Sequence, residues 1–226
     1  LLLAVLGTVA IYSAGFAYAD FRYDDPLYFA KRQTLWLIIG IFVMALSSLI
    51  SLETIKKYSL PAFLVSLVLL LLTLVIGFVG NGAQRWIAIG PLTIQPSEIT
   101  KLTLIIILAR YFDKFQSKAC NILDKKATFI YGTLIPFAII LIPILLVMLQ
   151  KHLSCIIILG LIGLSTIFLS GTNTKYIRYF CIAAVIAVAC LALFTDYTKE
   201  RIMVWRDPEG YKLTGGWQTL QGLMAI

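Results

Sequence analysis

Long apolar runs set the terms for this chain. Stretches such as residues 60–76, 128–149 and 153–169 carry almost no charge. A run of about 20 apolar residues is what a helix needs to cross a bilayer. Read on that length, the chain predicts spans at about Leu1 to Ala19, Thr34 to Leu52, Ser59 to Gly80, Pro96 to Phe112, Thr128 to Leu149, Leu153 to Ser170 and Tyr176 to Phe194. The expected fold is all-α and polytopic, one integral membrane unit with about seven transmembrane helices. Pro136 and Pro143 fall inside the fifth span and are expected to kink it. The connecting segments 20–33, 81–95, 150–152 and 195–226 are the polar ones.

Composition enters as an exclusion. With 60% hydrophobic and 13% charged residues among 226, the chain is too apolar for an ordinary soluble domain. The net charge of +8 does not point to nucleic acid, because no basic cluster is interleaved with polar surface. It points to loop cations that set orientation. Lys56, Lys57, Arg110, Lys114, Lys118, Lys125, Lys126, Lys175 and Arg178 follow spans two, four and six. The other set of loops holds fewer, namely Arg22, Lys31, Arg32, Arg85 and Lys151. The richer set is expected inside, which places the N-terminus in the cytoplasm and segments 81–95, 150–152 and 195–226 on the outer face. Cys120, Cys155, Cys181 and Cys190 show no metal spacing and read as small packing residues rather than disulfides.

One polar stretch interrupts the apolar pattern, Asn81 to Lys101. Gly80, Gly82 and Gly90 permit tight turns there. Gln95-Pro96 reads as a helix start, with Pro at the first helical position. Glu98 falls in the first turn, where a carboxylate suits the positive end of the helix dipole, and Lys101 shares its face three residues on. Ionisable groups at the mouth of a membrane helix are functional candidates by default. Glu98 and Lys101 read either as a structural ion pair or as catalytic groups, Lys101 as a cation for a developing negative charge and Glu98 orienting it or acting as a base. Arg85 and Trp86 read either as interfacial anchors or as contacts to a phosphate and a sugar ring or lipid. Lys31 and Arg32 read as snorkelling side chains or as a diphosphate contact. His152 reads as a polar cap at a membrane turn before it reads as a base. Asp207-Pro208-Glu209-Gly210 signals a turn in the outer tail.

Gly82-Ala83-Gln84-Arg85-Trp86-Ile87, followed by Gln95-Pro96-Ser97-Glu98 and Lys101, resembles the signature of the SEDS family (shape, elongation, division and sporulation). Asp25 to Gln33 resembles the family's first outer loop, and Arg201 through Gly216-Trp217-Gln218 to Ile226 its large outer loop. Gly215 to Gln221 and Asp25 to Phe29 look closer to the division branch, FtsW-like or sporulation-like, whereas Ala109 to Phe112 also resembles elongation members, so an elongation-type, RodA-like role stays open. Gln150-Lys151-His152-Leu153-Ser154 sits where many members read Gln-Pro-Asp-Leu-Gly, so Lys-His stands in place of Pro-Asp.

The resemblance implies a glycosyltransferase that polymerises lipid II, the undecaprenyl-pyrophosphate-linked disaccharide-peptide, at the outer face of the bacterial cytoplasmic membrane. It implies substrate binding by Arg85, Trp86, Gln95, Ser97, Lys31 and Arg32. It implies a loop or lid drawing on Lys151, His152, Arg201, Asp207, Glu209 and Trp217. Its implied partners are a class B penicillin-binding protein, other division or elongation proteins and membrane lipids. No metal ligand set is legible, although a divalent metal (Mg or Mn) would suit a departing diphosphate. The family's outer-face Asp belongs to a later segment than Ile226. The chain is therefore expected to be a fragment of a protein of about ten spans, truncated at both ends and inactive alone. The rival expectations are a lipid II flippase, with polar residues lining a path through the bilayer, and a non-catalytic scaffold for a transpeptidase.

Overall fold

The computed structural model describes residues 2–80, 83–90, 92–121, 124–150, 152–173, 175–182, 185–186, 202–211 and 216–224. The chain divides into two compact units, Leu1–Tyr58 and Ser59–Ile226.

The first unit is a helical hairpin of α1 (Leu2–Tyr23) and α2 (Tyr28–Ser48). The loop expected over residues 20–33 shrinks to a few residues, because both helices continue past the apolar run. Asp24 supplies the reversal with a positive φ of 51°. The Asp25 carboxylate accepts from the Leu27 amide at 3.0 Å and from Lys31 Nζ at 2.8 Å. Tyr23 stacks on Tyr28 with centroids 4.0 Å apart, and Phe29 meets both rings edge-on. Ala19 is the one buried residue of α1, and α2 has none. Most of their Leu, Ile, Val and Phe side chains are exposed, which suits lipid rather than water as the solvent. The expected loop at residues 53–58 is also helical, as the start of α3 (Leu52–Ile76).

The second unit is organised around α4 (Pro96–Ala119). On it pack α7 (Leu153–Leu169) and a long helix composed of α5 (Lys125–Phe129), a π-helical turn (Ile130–Leu134) and α6 (Ile135–Leu149). The π turn has a cause. Pro136 has no amide hydrogen for the Gly132 carbonyl and its ring crowds that turn, so the ladder widens just before it. The inner face of α3 repeats Ser59, Phe63, Ser66, Leu70 and Thr73, all buried. Its hydroxyls reach α4 through side-chain hydrogen bonds. Ser66 Oγ meets Thr103 Oγ1 of α4 at 2.9 Å, and Arg110 of α4 donates to Ser59 Oγ at 3.0 Å. Leu104, Leu108, Val147, Leu159 and Ile167 form the fully buried centre.

Among the described residues, four helices are long and apolar enough to cross a membrane: Leu2–Tyr23, Tyr28–Ser48, Leu52–Ile76 and Lys125–Leu149. The 17-residue α7 is apolar but shorter. The fourth expected span, α4, runs on to Ala119 and carries charges near both ends. It tolerates them because they lie near its ends, where long side chains reach the interface, while Ile99, Leu102 and Ile105 between them are exposed and apolar. Most of the expected span at 176–194 lies outside the described residues, although 175–182 are helical.

Segment 81–95 departs from the expected irregular loop. It contributes to a three-stranded antiparallel meander of β1 (Phe78–Gly80), β2 (Ala83–Ile89) and β3 (Leu92–Ile94). Ile87 pairs with Ile94 and Ala88 with Thr93, and Gly90 turns the second hairpin at φ 63°. The tail is described in part, with residues 202–206 helical and α8 at Trp217–Met224.

Candidate functional site

The pleat of β2 decides what Arg85 and Trp86 can reach. Successive side chains of a strand point to opposite faces. Ile87 is buried and Arg85 half-buried, so these two face inward, while Trp86 is 37% exposed and faces out opposite Phe78. The two residues read together in the sequence therefore serve different sides of the sheet.

The inward face of β2 lies over the start of α4. Gln95 precedes α4 in extended conformation (φ −104°, ψ 104°), and Pro96 opens the helix. Gln95 makes no side-chain cap to α4. Its carboxamide instead stands 2.9 Å from Nε2 of His152, a residue 57 positions away. His152 in turn begins α7, its Nδ1 accepting from the Cys155 amide at 3.4 Å. In the same tight turn Gln150 is buried, and its Nε2 donates to the Leu70 carbonyl of α3 at 3.0 Å. The mouths of α4 and α7 and the end of α3 are thus tied together by two glutamines and one histidine.

Four charged or titratable side chains share this place. Lys101 and Glu98 pair at 2.6 Å, the lysine side chain 20% exposed and the carboxylate 59%. Burial holds the His152 imidazole below its ordinary 6.5, and the Arg85 charge adds to this. Glu98 pulls the other way, and Lys101 again favours the neutral ring. With the ring neutral, the cluster of Arg85, Lys101 and Glu98 carries one net positive charge. Such a site suits an anion with oxygens to offer a guanidinium and an ammonium.

The other expected residues fall elsewhere. Ser97 is 1% exposed, with its hydroxyl inside the packing rather than at the opening. Lys31 and Arg32 belong to the first unit, where Lys31 binds Asp25 and Arg32 donates to the Tyr28 hydroxyl at 3.0 Å. Asp207 is exposed and caps its own turn by accepting from the Gly210 amide at 3.1 Å. Glu209 and Trp217 are exposed. Lys151 and Arg201 lie outside the described residues. Among the described residues no three His, Cys, Asp or Glu side chains come together as metal ligands. What sequence reasoning missed is the Gln95–His152 contact. The only signal for it was a polar residue at each of two helix starts.

The opposite end of this unit gathers different groups. Cys120 at the end of α4 reaches the Ser170 carbonyl after α7, and a cavity of about 470 Å³ there is lined by Asn121, Lys125, Asn173, Lys175 and Tyr176 among others. The polar meander and the basic loops thus lie at opposite ends of the second unit's helices.

Comparison with known proteins gives the same direction. The FtsW/RodA/SpoVE family, described as cell cycle protein, matches residues 1–226. The chain is 33% identical over 227 residues to a probable peptidoglycan glycosyltransferase FtsW of Geobacter sulfurreducens, covering 99% of this chain and 59% of that protein. It is 31% identical over 228 residues to a protein of the same description in Escherichia coli O6:H1, covering 99% of this chain and 52% of that protein. It therefore spans less than two thirds of the length of these curated relatives. Among solved structures, it resembles the rod shape determining protein RodA of Thermus thermophilus with a TM-score of 0.61 and 25% identity, over 83% of this chain and 58% of that one. It also resembles a chain from work on polymerization and crosslinking by a peptidoglycan synthase complex, with a TM-score of 0.67 and 26% identity, over 100% of this chain and 65% of that one.

Proposed function

Because the chain belongs to the FtsW/RodA/SpoVE family of cell cycle proteins, a family of multi-pass membrane proteins, we propose that its protein is a peptidoglycan glycosyltransferase. In this reading it polymerises lipid II at the outer face of the bacterial cytoplasmic membrane, with the N-terminus inside. The FtsW description of the curated relatives favours a role in division over elongation. The single observation that carries the reading is the cationic cluster of Arg85 and Lys101 at the mouth of α4, beside the outward-facing Trp86.

In the reaction, a sugar hydroxyl of one lipid-linked unit forms a bond to the anomeric carbon of the growing strand. The bond from that carbon to the polyprenyl diphosphate breaks, and the hydroxyl proton passes to a base. Lys101 and Arg85 are suited to the diphosphate end, where negative charge grows as the bond breaks. Glu98 holds Lys101 in place through their ion pair. Trp86, with Phe78 across the strand, offers an apolar face at lipid headgroup level for the polyprenyl chain or a sugar ring. A divalent cation would add charge at the diphosphate, although among the described residues no three His, Cys, Asp or Glu side chains come together to hold one. A class B penicillin-binding protein is the proposed partner, in line with the crosslinking complex that contains a structural relative.

The test uses the full-length protein with its transpeptidase partner in proteoliposomes supplied with lipid II and a divalent cation. Glycan strands formed by the wild type are the expected product. Passage of lipid II across the bilayer without polymer would replace this reading with a flippase. Neither activity would leave the transpeptidase scaffold.

A further inference from the structure

We propose that the cavity at the basic end of the second unit binds the phosphate headgroup of an anionic phospholipid. Its occupancy does not depend on the glycosyltransferase reading. Only the leaflet that supplies the lipid rests on the orientation proposed above, which makes it the inner one. The walls come from the end of α4, the start of α5 and the turn after α7. Bonds within the protein hold them. Cys120 Sγ reaches the Ser170 carbonyl, the buried Thr128 hydroxyl donates to the Asn121 carbonyl, and the buried Thr172 hydroxyl donates to the Ile167 carbonyl. Gly171 turns the chain between them at φ 78°. The volume of about 470 Å³ falls within the range of small-molecule sites, roughly 300–1,000 Å³.

Two lysines line this space, Lys125 and Lys175, and among the described residues no carboxylate does. Among those residues neither ammonium lies within ion-pair distance of a carboxylate. Asp124, the acid adjacent in sequence, caps α5 instead, accepting from the Lys126 and Ala127 amides. Each lysine opens a helix, where the positive end of the dipole disfavours a cation. Local stability therefore does not account for either position. Lysines that only set orientation serve anywhere in these loops. Lys114 and Lys118 do so over the Phe115 and Tyr131 rings. Lys125 and Lys175, far apart in the chain, instead converge on one space, and an anion with several oxygens satisfies both.

The flank of the cavity selects a lipid among phosphates. Tyr176, one of its lining residues, meets the Phe129 ring with centroids 5.1 Å apart. Phe129, next to Thr128, and Leu169, at the end of α7, are exposed apolar side chains. They continue the apolar surface of the Lys125–Leu149 helix and of α7. An acyl chain can lie along that surface while its phosphate reaches the two ammoniums. Basic pockets between membrane helices bind anionic headgroups in this way.

Native mass spectrometry of the full-length protein in neutral detergent tests this, with phosphatidylglycerol, phosphatidylcholine and inorganic phosphate as probes. The wild type is expected to hold one phosphatidylglycerol more tightly than phosphatidylcholine, whose choline brings a third cation to the two lysines. Lys125→Gln combined with Lys175→Gln should weaken phosphatidylglycerol binding about 30-fold. Lys114→Gln combined with Lys118→Gln removes the same charge outside the cavity and should change it by about threefold at most. Equal weakening by the two pairs would overturn the proposal. So would equal binding of the two lipids by the wild type, a result that decides the matter even if a variant does not fold. Displacement of the lipid by millimolar inorganic phosphate would assign the cavity to the free anion and overturn the lipid assignment. Binding is read without polymerisation, so a protein that makes no glycan but binds as expected loses the glycosyltransferase reading and keeps this site.

Discussion

Arg85 and Trp86 are adjacent in the chain and face opposite sides of β2, so a change at one should not mimic a change at the other. Trp86→Ala removes an exposed apolar face and should weaken apparent affinity for lipid-linked substrate, raising KM more than it lowers kcat. Arg85→Lys keeps the charge but loses the planar fork, and should lower kcat if the guanidinium grips a diphosphate. Equal effects of both substitutions on both constants, measured by initial-rate polymerisation, would contradict this division of labour. Both residues were legible as candidates in the sequence. Their separation was not, because the Gly- and Pro-marked stretch reads as loop and only the pleat assigns sides. Ser97 illustrates the same limit, since its place in the motif gives no sign that the first turn of α4 hides it.

At the scale of elements, the contact between α3 and α4 rests on small hydroxyls. Ser66 and Thr103 also bond carbonyls of their own helices, so each hydroxyl hydrogen is already used and the pair adds little. A double-mutant cycle of Ser66→Ala and Thr103→Val, followed by unfolding in detergent, is expected to give a coupling of about 0.6 kcal/mol. A value above about 2 kcal/mol would show that hydrogen bonding, and not packing, holds the two helices. Gly163 marks a tight approach between α6 and α7, because a Cβ there would run into the Ile140 side chain. Gly163→Val should therefore cost about 1–3 kcal/mol by overpacking, read in the same unfolding assay, whereas Gly160→Ala, with open space around it, should cost little. The apolar runs announced most of these helices, but their ends were misplaced. Helices α1 and α4 run on past their expected ends and α2 and α3 begin earlier, because a helix need not stop where the hydrocarbon does, whereas α2 stops at Ser48 and α3 at Ile76, short of the expected Leu52 and Gly80. The π turn was foreshadowed by Pro136, although a kink and a widened turn look alike in sequence.

For the whole molecule, the sequence pattern already separated a polar, motif-bearing side from a basic one. In the second unit the fold agrees, with the meander and His152 at one end and Lys125 and Lys175 at the other. Orientation in the membrane follows as a prediction. In cells expressing the full-length protein, cysteines placed at Thr93 and at Lys126 should differ in reaction with an impermeant reagent from outside, Thr93 labelled and Lys126 protected. The reverse pattern would put the site on the cytoplasmic face and remove the basis for an outer-face polymerase. If the mouth of α4 handles the departing diphosphate, the polymerisation rate of full-length Lys101→Ala with its transpeptidase at saturating lipid II is the decisive measurement. A fall in kcat of about 10²- to 10³-fold is expected, with the protein still folded. A Lys101→Ala enzyme that polymerises at the wild-type rate would contradict it.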